Sequence, residues 1–269
     1  MKTIRAGICQ GAFGSDGESN VRLADELVRE AVAQGAELVA LPEMACWWGA
    51  LADMPKQAET VEGRWVTSMR SLARDLKIWL IGGTFPRRAD GDVRVFNSAP
   101  LIAPDGNIAG IADKGHLFDV TVPDGPNVRE SDVQCPGDVP FRMDTPFGSV
   151  GIAICYDVRF PEVFRRMVSD GGLDILILPA AFHAKTGQAH WATLLAARAI
   201  ENQCYVVAAN QCGVSPSGYE SYGHSSIYGP WGEPLAVLEG ERGVIVADLD
   251  ASRLRTIRKY LPVLSHIRK

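Results

Sequence analysis

An α/β fold in one domain is what this chain of 269 residues predicts, and three observations carry that expectation. Strand-like and helix-like segments alternate from end to end. The longest apolar runs, such as LDILILPAAF (173–182), are strand-sized and far too short to cross a bilayer. No linker or low-complexity stretch interrupts the sequence, so one domain over 1–269 is expected.

The elements follow in order. IRAGICQ (4–10) reads as a first strand. Residues 20–34 place Leu23, Leu27, Val28, Ala31 and Val32 on one face at helical spacing, with Asn20 or Ser19 as the cap and Gly35 as the stop. ELVAL (37–41) is a buried strand cut by Pro42. A second helix covers about 63–76, and IWLIGG (78–83) is the next strand. FNSAPLIAPDGNIAGIADK (96–114) has strand patterning on both sides of a Pro-Asp-Gly turn, a hairpin signal. SVGIAIC (149–155) is a strand, PEVFRRMVSDGG (161–172) a helix and DILIL (174–178) a strand. HWATLLAARAIENQ (190–203) is helical, and CYVVAAN (204–210) returns to strand. IYGPWGEPLAVLEG (227–240) and GVIVADLD (243–250) read as a closing antiparallel set. The basic tail, 253–269, is expected to be a helix followed by an extended arm.

A short internal repeat accompanies this alternation. GAELVALPE (35–43) aligns without a gap to GLDILILPA (172–180), with Pro42 matching Pro179. Two similar layers related by pseudo-symmetry would produce it. Glu43 in the first copy becomes Ala180 in the second.

Composition narrows the function classes. Hydrophobic residues make up 46% and charged residues 22%, the balance of a globular enzyme. The net charge is −5 and no basic stripe is present, so nucleic acid is not an expected partner. MKTIRAGICQ passes directly into a strand without a continuous apolar signal core, which makes a cytoplasmic location the default and a membrane unexpected. Cysteines stand at 9, 46, 135, 155, 204 and 212, none in a Cys-x-x-Cys pair, so a structural zinc site has no support. Three disulfides are arithmetically open, but a chain this long does not need them.

One cysteine differs from the rest. SVGIAI leads to Cys155, YDVRF turns the chain, and Pro161 is placed to open a helix. A thiol there is held rigidly, and the next N–H, that of Tyr156, can face a developing oxyanion. A nucleophilic thiol needs a base. His116, His183, His190, His224 and His266 are available for a Cys–His arrangement. Glu43, at the carboxyl end of the ELVALP strand, is the other candidate. Lys114, after the hairpin, reads equally as a surface lysine. A small buried cysteine and a solvated turn glutamate remain the plain alternatives at 155 and 43.

Taken together, LPE (41–43), DKGHLFDV (113–120), RES (129–131) and GIAICYDVRFPE (151–162) resemble the motifs of the carbon–nitrogen hydrolase (nitrilase-like) superfamily. The likeness continues through PAAFHAKTGQAHW, LLAARAIENQCYVVAANQCG, YGHSSIYGPWGE and LPV, so it spans essentially the whole chain. It implies an α-β-β-α sandwich and an amidase acting on a non-peptide carbon–nitrogen bond. By the same resemblance Cys155 is the nucleophile and Glu43 the base. Lys114 and the Tyr156 N–H stabilise the oxyanion, and Glu130 holds Lys114. His116 and His190 become structural hydrogen-bonders. No metal or organic cofactor is implied, and subunits are expected to pair as a homodimer or larger.

YDVRFPE after the cysteine looks like the branch of ω-amidases and deaminated-glutathione amidases, whose substrates are amides of small carboxylic acids. Cys46-Trp47-Trp48, His183-Ala184-Lys185 and Gly115 depart from that branch and bear on specificity. Trp47, Phe182, His183, Lys185 and Arg159 are the expected substrate contacts, with Arg159 and Lys185 as cations for a carboxylate and a structural ion pair as the alternative for Arg159. Nitrile or N-carbamoyl hydrolysis and acyl transfer stay open on the same scaffold. A catalytically silent binding protein is the alternative of another class.

Overall fold

The computed structural model describes residues 1–121 and 127–268. The first half of the chain contributes β1 (Ile4–Gln10), α1 (Gly17–Ala33), β2 (Leu38–Ala40), α2 (Arg64–Leu76), β3 (Trp79–Ile81), β4 (Phe85–Arg88), β5 (Val95–Ile102) and β6 (Ile108–Asp113). β7 (Asp119–Thr121) and β8 (Asn127–Arg129) then pair as a two-stranded ribbon. The second half adds β9 (Phe141–Thr145), β10 (Gly148–Ile152), α3 (Pro161–Ser169), β11 (Ile175–Ala180), α4 (Ala184–Asn202) and β12 (Tyr205–Asn210). It continues through the ribbon of β13 (Cys212–Val214) and β14 (Glu220–Tyr222) to β15 (Ser226–Tyr228) and β16 (Pro234–Val237). β17 (Gly243–Leu249) and α5 (Ala251–Tyr260) close the chain.

Two mixed sheets result. One has the order β17-β1-β2-β3-β5-β4 with β6 on β5, and the other β16-β15-β12-β11-β10-β9. Aligning β2 with β11 superposes the two orders strand for strand. In both orders an antiparallel edge strand flanks three central parallel strands, followed by two further antiparallel strands, and the first sheet adds β6 as a third. α1 and α2 connect the parallel strands of the first sheet, and α3 and α4 those of the second. The nine-residue repeat is therefore the surviving sequence trace of a repeated topology.

The layering follows from strand periodicity. Ile4, Ala6 and Ile8 of β1 join the core that holds Val150 and Ile152 of β10 and Ile175 and Ile177 of β11. Cys9, between them in phase, packs instead with Leu27, Val28 and Ala31 of α1. This gives the α-β-β-α order. All six cysteines are free and buried.

Several expectations need correction. α1 is capped by Asp16, whose carboxylate accepts from the Glu18 and Ser19 N–H groups, not by Asn20 or Ser19. Asn20 is buried and spends its amide on the carbonyls of Gly14 and Cys46. α4 begins at Ala184, six residues before the apolar pattern does, because His183 caps it. β17 does not close against β16 in one sheet; it crosses to pair with β1, residue for residue from Ile4↔Leu249 to Gln10↔Gly243. The tail after α5 forms a short 3₁₀ turn, Val263–His266, in place of an arm extended throughout; residue 269 lies outside the described residues.

Candidate active site

β10 ends at Ile152, and the chain runs through Ala153 and Ile154 to Cys155, which opens a 3₁₀ turn, Cys155–Arg159. Cys155 has φ 48°, a left-handed conformation that costs a side-chain-bearing residue about 1–2 kcal/mol. Asp157 fixes the turn. Its fully buried carboxylate accepts from the Ile154 N–H at 2.9 Å and, across the site, from the His116 N–H at 2.8 Å. One carboxylate thus ties the residue before Cys155 to the loop that carries Lys114.

Glu43 follows β2, where Pro42 ends the strand. Three interactions aim it. Gln211 donates its side-chain N–H to the Glu43 carbonyl at 2.8 Å, the Ala181 N–H donates to Oε2 at 2.8 Å, and Asn97 Nδ2 donates to Oε1 at 2.8 Å. Ala181 adjoins Ala180, the repeat counterpart of Glu43. The backbone of one pseudo-symmetric half therefore receives the carboxylate of the other.

Lys114 follows β6. Its Nζ lies 2.9 Å from Glu43 Oε1 and 2.8 Å from Glu130 Oε1, and Glu130 Oε2 accepts the Phe118 N–H at 2.7 Å. Lys114, Glu43 and Glu130 are only 1, 2 and 6% exposed, so this is a buried triad of two carboxylates and one ammonium. Burial opposes the charge on Lys114, but Glu130 and Glu43 outweigh it and hold the ammonium well above its ordinary range. Glu130 is pushed up by burial, with Lys114 pulling it down and Glu43 reinforcing the rise. Burial and then the negative charge of Glu43 hold Cys155 well above the ordinary thiol value of 9.0. The resting site therefore contains a neutral thiol beside a carboxylate. A free thiolate would set three anions around one ammonium, whereas passing the proton to Glu43 leaves the net charge of the cluster unchanged.

The triad and Cys155 border a cavity of about 410 Å³. Trp47, Phe182, His183 and Arg159 also line it, as the sequence suggested for substrate contact, and so does Tyr156. Lys185 does not contribute to the cavity wall among the described residues; it lies in the first turn of α4, its N–H donating to His183 Nδ1 at 3.2 Å. That bond leaves the His183 proton on Nε2, and burial lowers the ring's tendency to take a second. Among the described residues Arg159 makes no ion pair of the kind the structural alternative expects. Its guanidinium contacts His190 Nδ1 at 3.2 Å and stacks 4.9 Å from the Phe182 ring centre. His116 bonds Asp157 through Nδ1 at 2.8 Å and stacks on Phe160 at 3.6 Å, so both histidines are hydrogen-bonders and neither faces the thiol as a base.

Sequence reasoning missed Asn97, Tyr219 and the apolar wall of Leu51 and Met54. Asn97 left one signal, a single amide within the apolar run FNSAPLI. Tyr219 left none, since it reaches the cavity from a loop and donates its hydroxyl to the Ala181 carbonyl at 3.1 Å. Among the described residues no group of histidines, cysteines and carboxylates is arranged to hold a metal ion.

Comparison with known proteins agrees with this geometry. The family model described as carbon-nitrogen hydrolase matches residues 5–259. A Synechocystis protein, deaminated glutathione amidase, is 39% identical over 99% of this chain and 98% of its own length. The human omega-amidase NIT2 is 36% identical over 98% of this chain and 94% of its own. The crystal structure of the C. elegans NitFhit protein superposes with a TM-score of 0.92 at 36% identity; the match covers 100% of this chain and 66% of that longer one.

Proposed function

Because this chain belongs to the carbon–nitrogen hydrolase family, we propose that it is a cysteine-dependent amidase that releases ammonia from the amide of a small carboxylic acid. The supporting observation is the buried convergence of Lys114 on Glu43 and Glu130, with Cys155 in the same cluster on one cavity. Glu43 takes the thiol proton as sulfur bonds to the amide carbon. The Lys114 ammonium and the Tyr156 N–H receive the oxyanion. The carbon–nitrogen bond then breaks, Glu43 returns its proton to the leaving nitrogen, and a thioester remains on Cys155. Water, deprotonated by the same Glu43, cleaves the thioester. Glu130 keeps Lys114 directed at the reacting atoms and balances its charge.

In this reading Arg159, stacked on Phe182 and without a carboxylate partner among the described residues, meets the substrate's own carboxylate. Trp47, Phe182 and His183 shape the cavity around the body of the substrate. We take 1–269 as one carbon–nitrogen hydrolase domain, cytoplasmic and assembled as a homodimer or larger. No helix among the described residues is long and apolar enough to cross a membrane.

The test offers wild type, Cys155→Ala and Glu43→Gln a panel of deaminated glutathione, α-ketoglutaramate, succinamate, a simple nitrile and an N-carbamoyl amino acid, with ammonia and acyl adducts as readouts. Ammonia from one of the amides with wild type alone is expected, and each single-histidine variant should keep measurable activity. Turnover by Cys155→Ala, or by Glu43→Gln with loss in one histidine variant, would overturn the assignment.

A further inference from the structure

Glu43 is the only base the proposed mechanism uses, and which of its acceptor directions faces the thiol decides whether it can serve. A carboxylate offers about four acceptor sites in its plane, two on each oxygen. Three are taken by protein donors: Lys114 Nζ at 2.9 Å and Asn97 Nδ2 at 2.8 Å on Oε1, and the Ala181 N–H at 2.8 Å on Oε2. Cys155 borders the same cavity as Glu43, and the fourth direction is the one left for its thiol.

Asn97 is unusual among the three. It sits in the middle of β5, fully buried, with its backbone fixed opposite Pro86 of β4. Its own carbonyl accepts the Lys114 N–H at 2.9 Å. One residue therefore holds the side chain of the base and the backbone of the lysine. The amide orientation is unambiguous, because an ionised carboxylate only accepts and must face the NH₂ end. That orientation leaves Asn97 Oδ1 buried without a partner among the described residues. A buried, unsatisfied carbonyl is unfavourable, so the placement serves Glu43 and not the local packing of the strand.

We infer that Asn97 is a positioning residue for the reaction: it saturates Glu43 Oε1 together with Lys114 and so turns the carboxylate to present its last acceptor direction to Cys155. The inference rests on the reading of Glu43 as base. Loss of the Asn97 donor lets the carboxylate rotate toward Lys114 and away from the thiol.

The experiment compares wild type, Asn97→Leu, Asn97→Asp and Glu43→Gln in full pH profiles of kcat and KM, using the best amide of the panel above and with melting temperatures recorded. For Asn97→Leu, kcat should fall about 10- to 100-fold, the usual worth of a hydrogen bond to a charged group, with KM within about threefold. Asn97→Asp keeps the shape but replaces a donor with a like charge. It should lose more at neutral pH and recover partly as the pH falls and the new carboxyl protonates to donate again. A fall in melting temperature with kcat at its wild-type value would reduce Asn97 to a structural residue and overturn the inference. If Asn97→Leu does not fold, the Asn97→Asp profile decides alone: recovery toward low pH supports the inference and a flat ratio to wild type overturns it. Full activity in Glu43→Gln would instead remove the underlying reading.

Discussion

Replacing Lys114 by Met removes the single cation from between two buried carboxylates while keeping most of the side-chain volume. Lys114, Glu43 and Glu130 are all at least nine-tenths buried, so solvent cannot take over the role of the ammonium. Breaking a buried ion pair by deleting one partner costs about 3–5 kcal/mol, because the charge left behind is uncompensated. Here two carboxylates are left, 2.9 and 2.8 Å from where Nζ stood. The pH dependence carries a sign. Glu130 is already raised above its ordinary 4.5 by burial, with Lys114 as the opposing influence. Without Lys114 it rises further. A carboxyl with a raised folded value destabilises the fold most at pH above that value, and the penalty disappears as the pH falls below the unfolded value. The loss in Lys114→Met should therefore be about 3–5 kcal/mol at pH 7.5 and clearly smaller at pH 5. Urea titrations followed by tryptophan fluorescence, at one protein concentration so that assembly does not intrude, would measure it. A loss below about 1 kcal/mol, within the range of an exposed ion pair, or an equal loss at both pH values, would refute the buried-triad electrostatics.

Three further predictions concern the parts around the triad. The difference in 240-nm absorbance between wild type and Cys155→Ala should show no thiolate step below about pH 9, since burial and Glu43 raise the thiol; a step near neutrality would contradict the neutral resting thiol. Gly83 has φ +63°, and an added Cβ would lie 2.5 Å from the Pro42 carbonyl oxygen and 2.7 Å from Ala45 Cβ. Gly83→Ala should thus cost about 1–3 kcal/mol in urea and displace Glu43, lowering kcat; wild-type stability and rate would show that the loop tolerates the shift. Asp157→Asn leaves one acceptor oxygen where the carboxylate serves the Ile154 and His116 N–H groups with different oxygens, so kcat should drop about tenfold or more while His116→Gln keeps most activity. Equal losses in the two variants would place the effect in the imidazole and not in the carboxylate.

How much was legible beforehand differs from residue to residue. Glu43, Lys114, Glu130 and Cys155 stand within contiguous motifs, so their chemistry showed in the order and company of the residues. Arg159 was visible as a cation near Cys155, but that it meets no carboxylate among the described residues was not, because pairing depends on what neighbouring elements bring. Asp16 lost the cap assignment to Ser19 and Asn20 because all three residue types cap helices, and only the backbone course of 14–17 selects among them.

The sequence by itself determined the local periods, the strand-to-turn transition at Pro42, and the repeated LPE/LPA segment, since each of these depends on neighbours along the chain. The tertiary structure alone decided that β17 leaves β16 for β1, because an alternating strand satisfies either sheet edge equally well. It alone placed Asn97 on Glu43, 54 residues away in sequence, and set the Ala181 N–H against the same carboxylate from 138 residues away. Such convergence has no local signature: a donor in a strand acquires its role only when two layers pack and exclude the water that would otherwise have satisfied it.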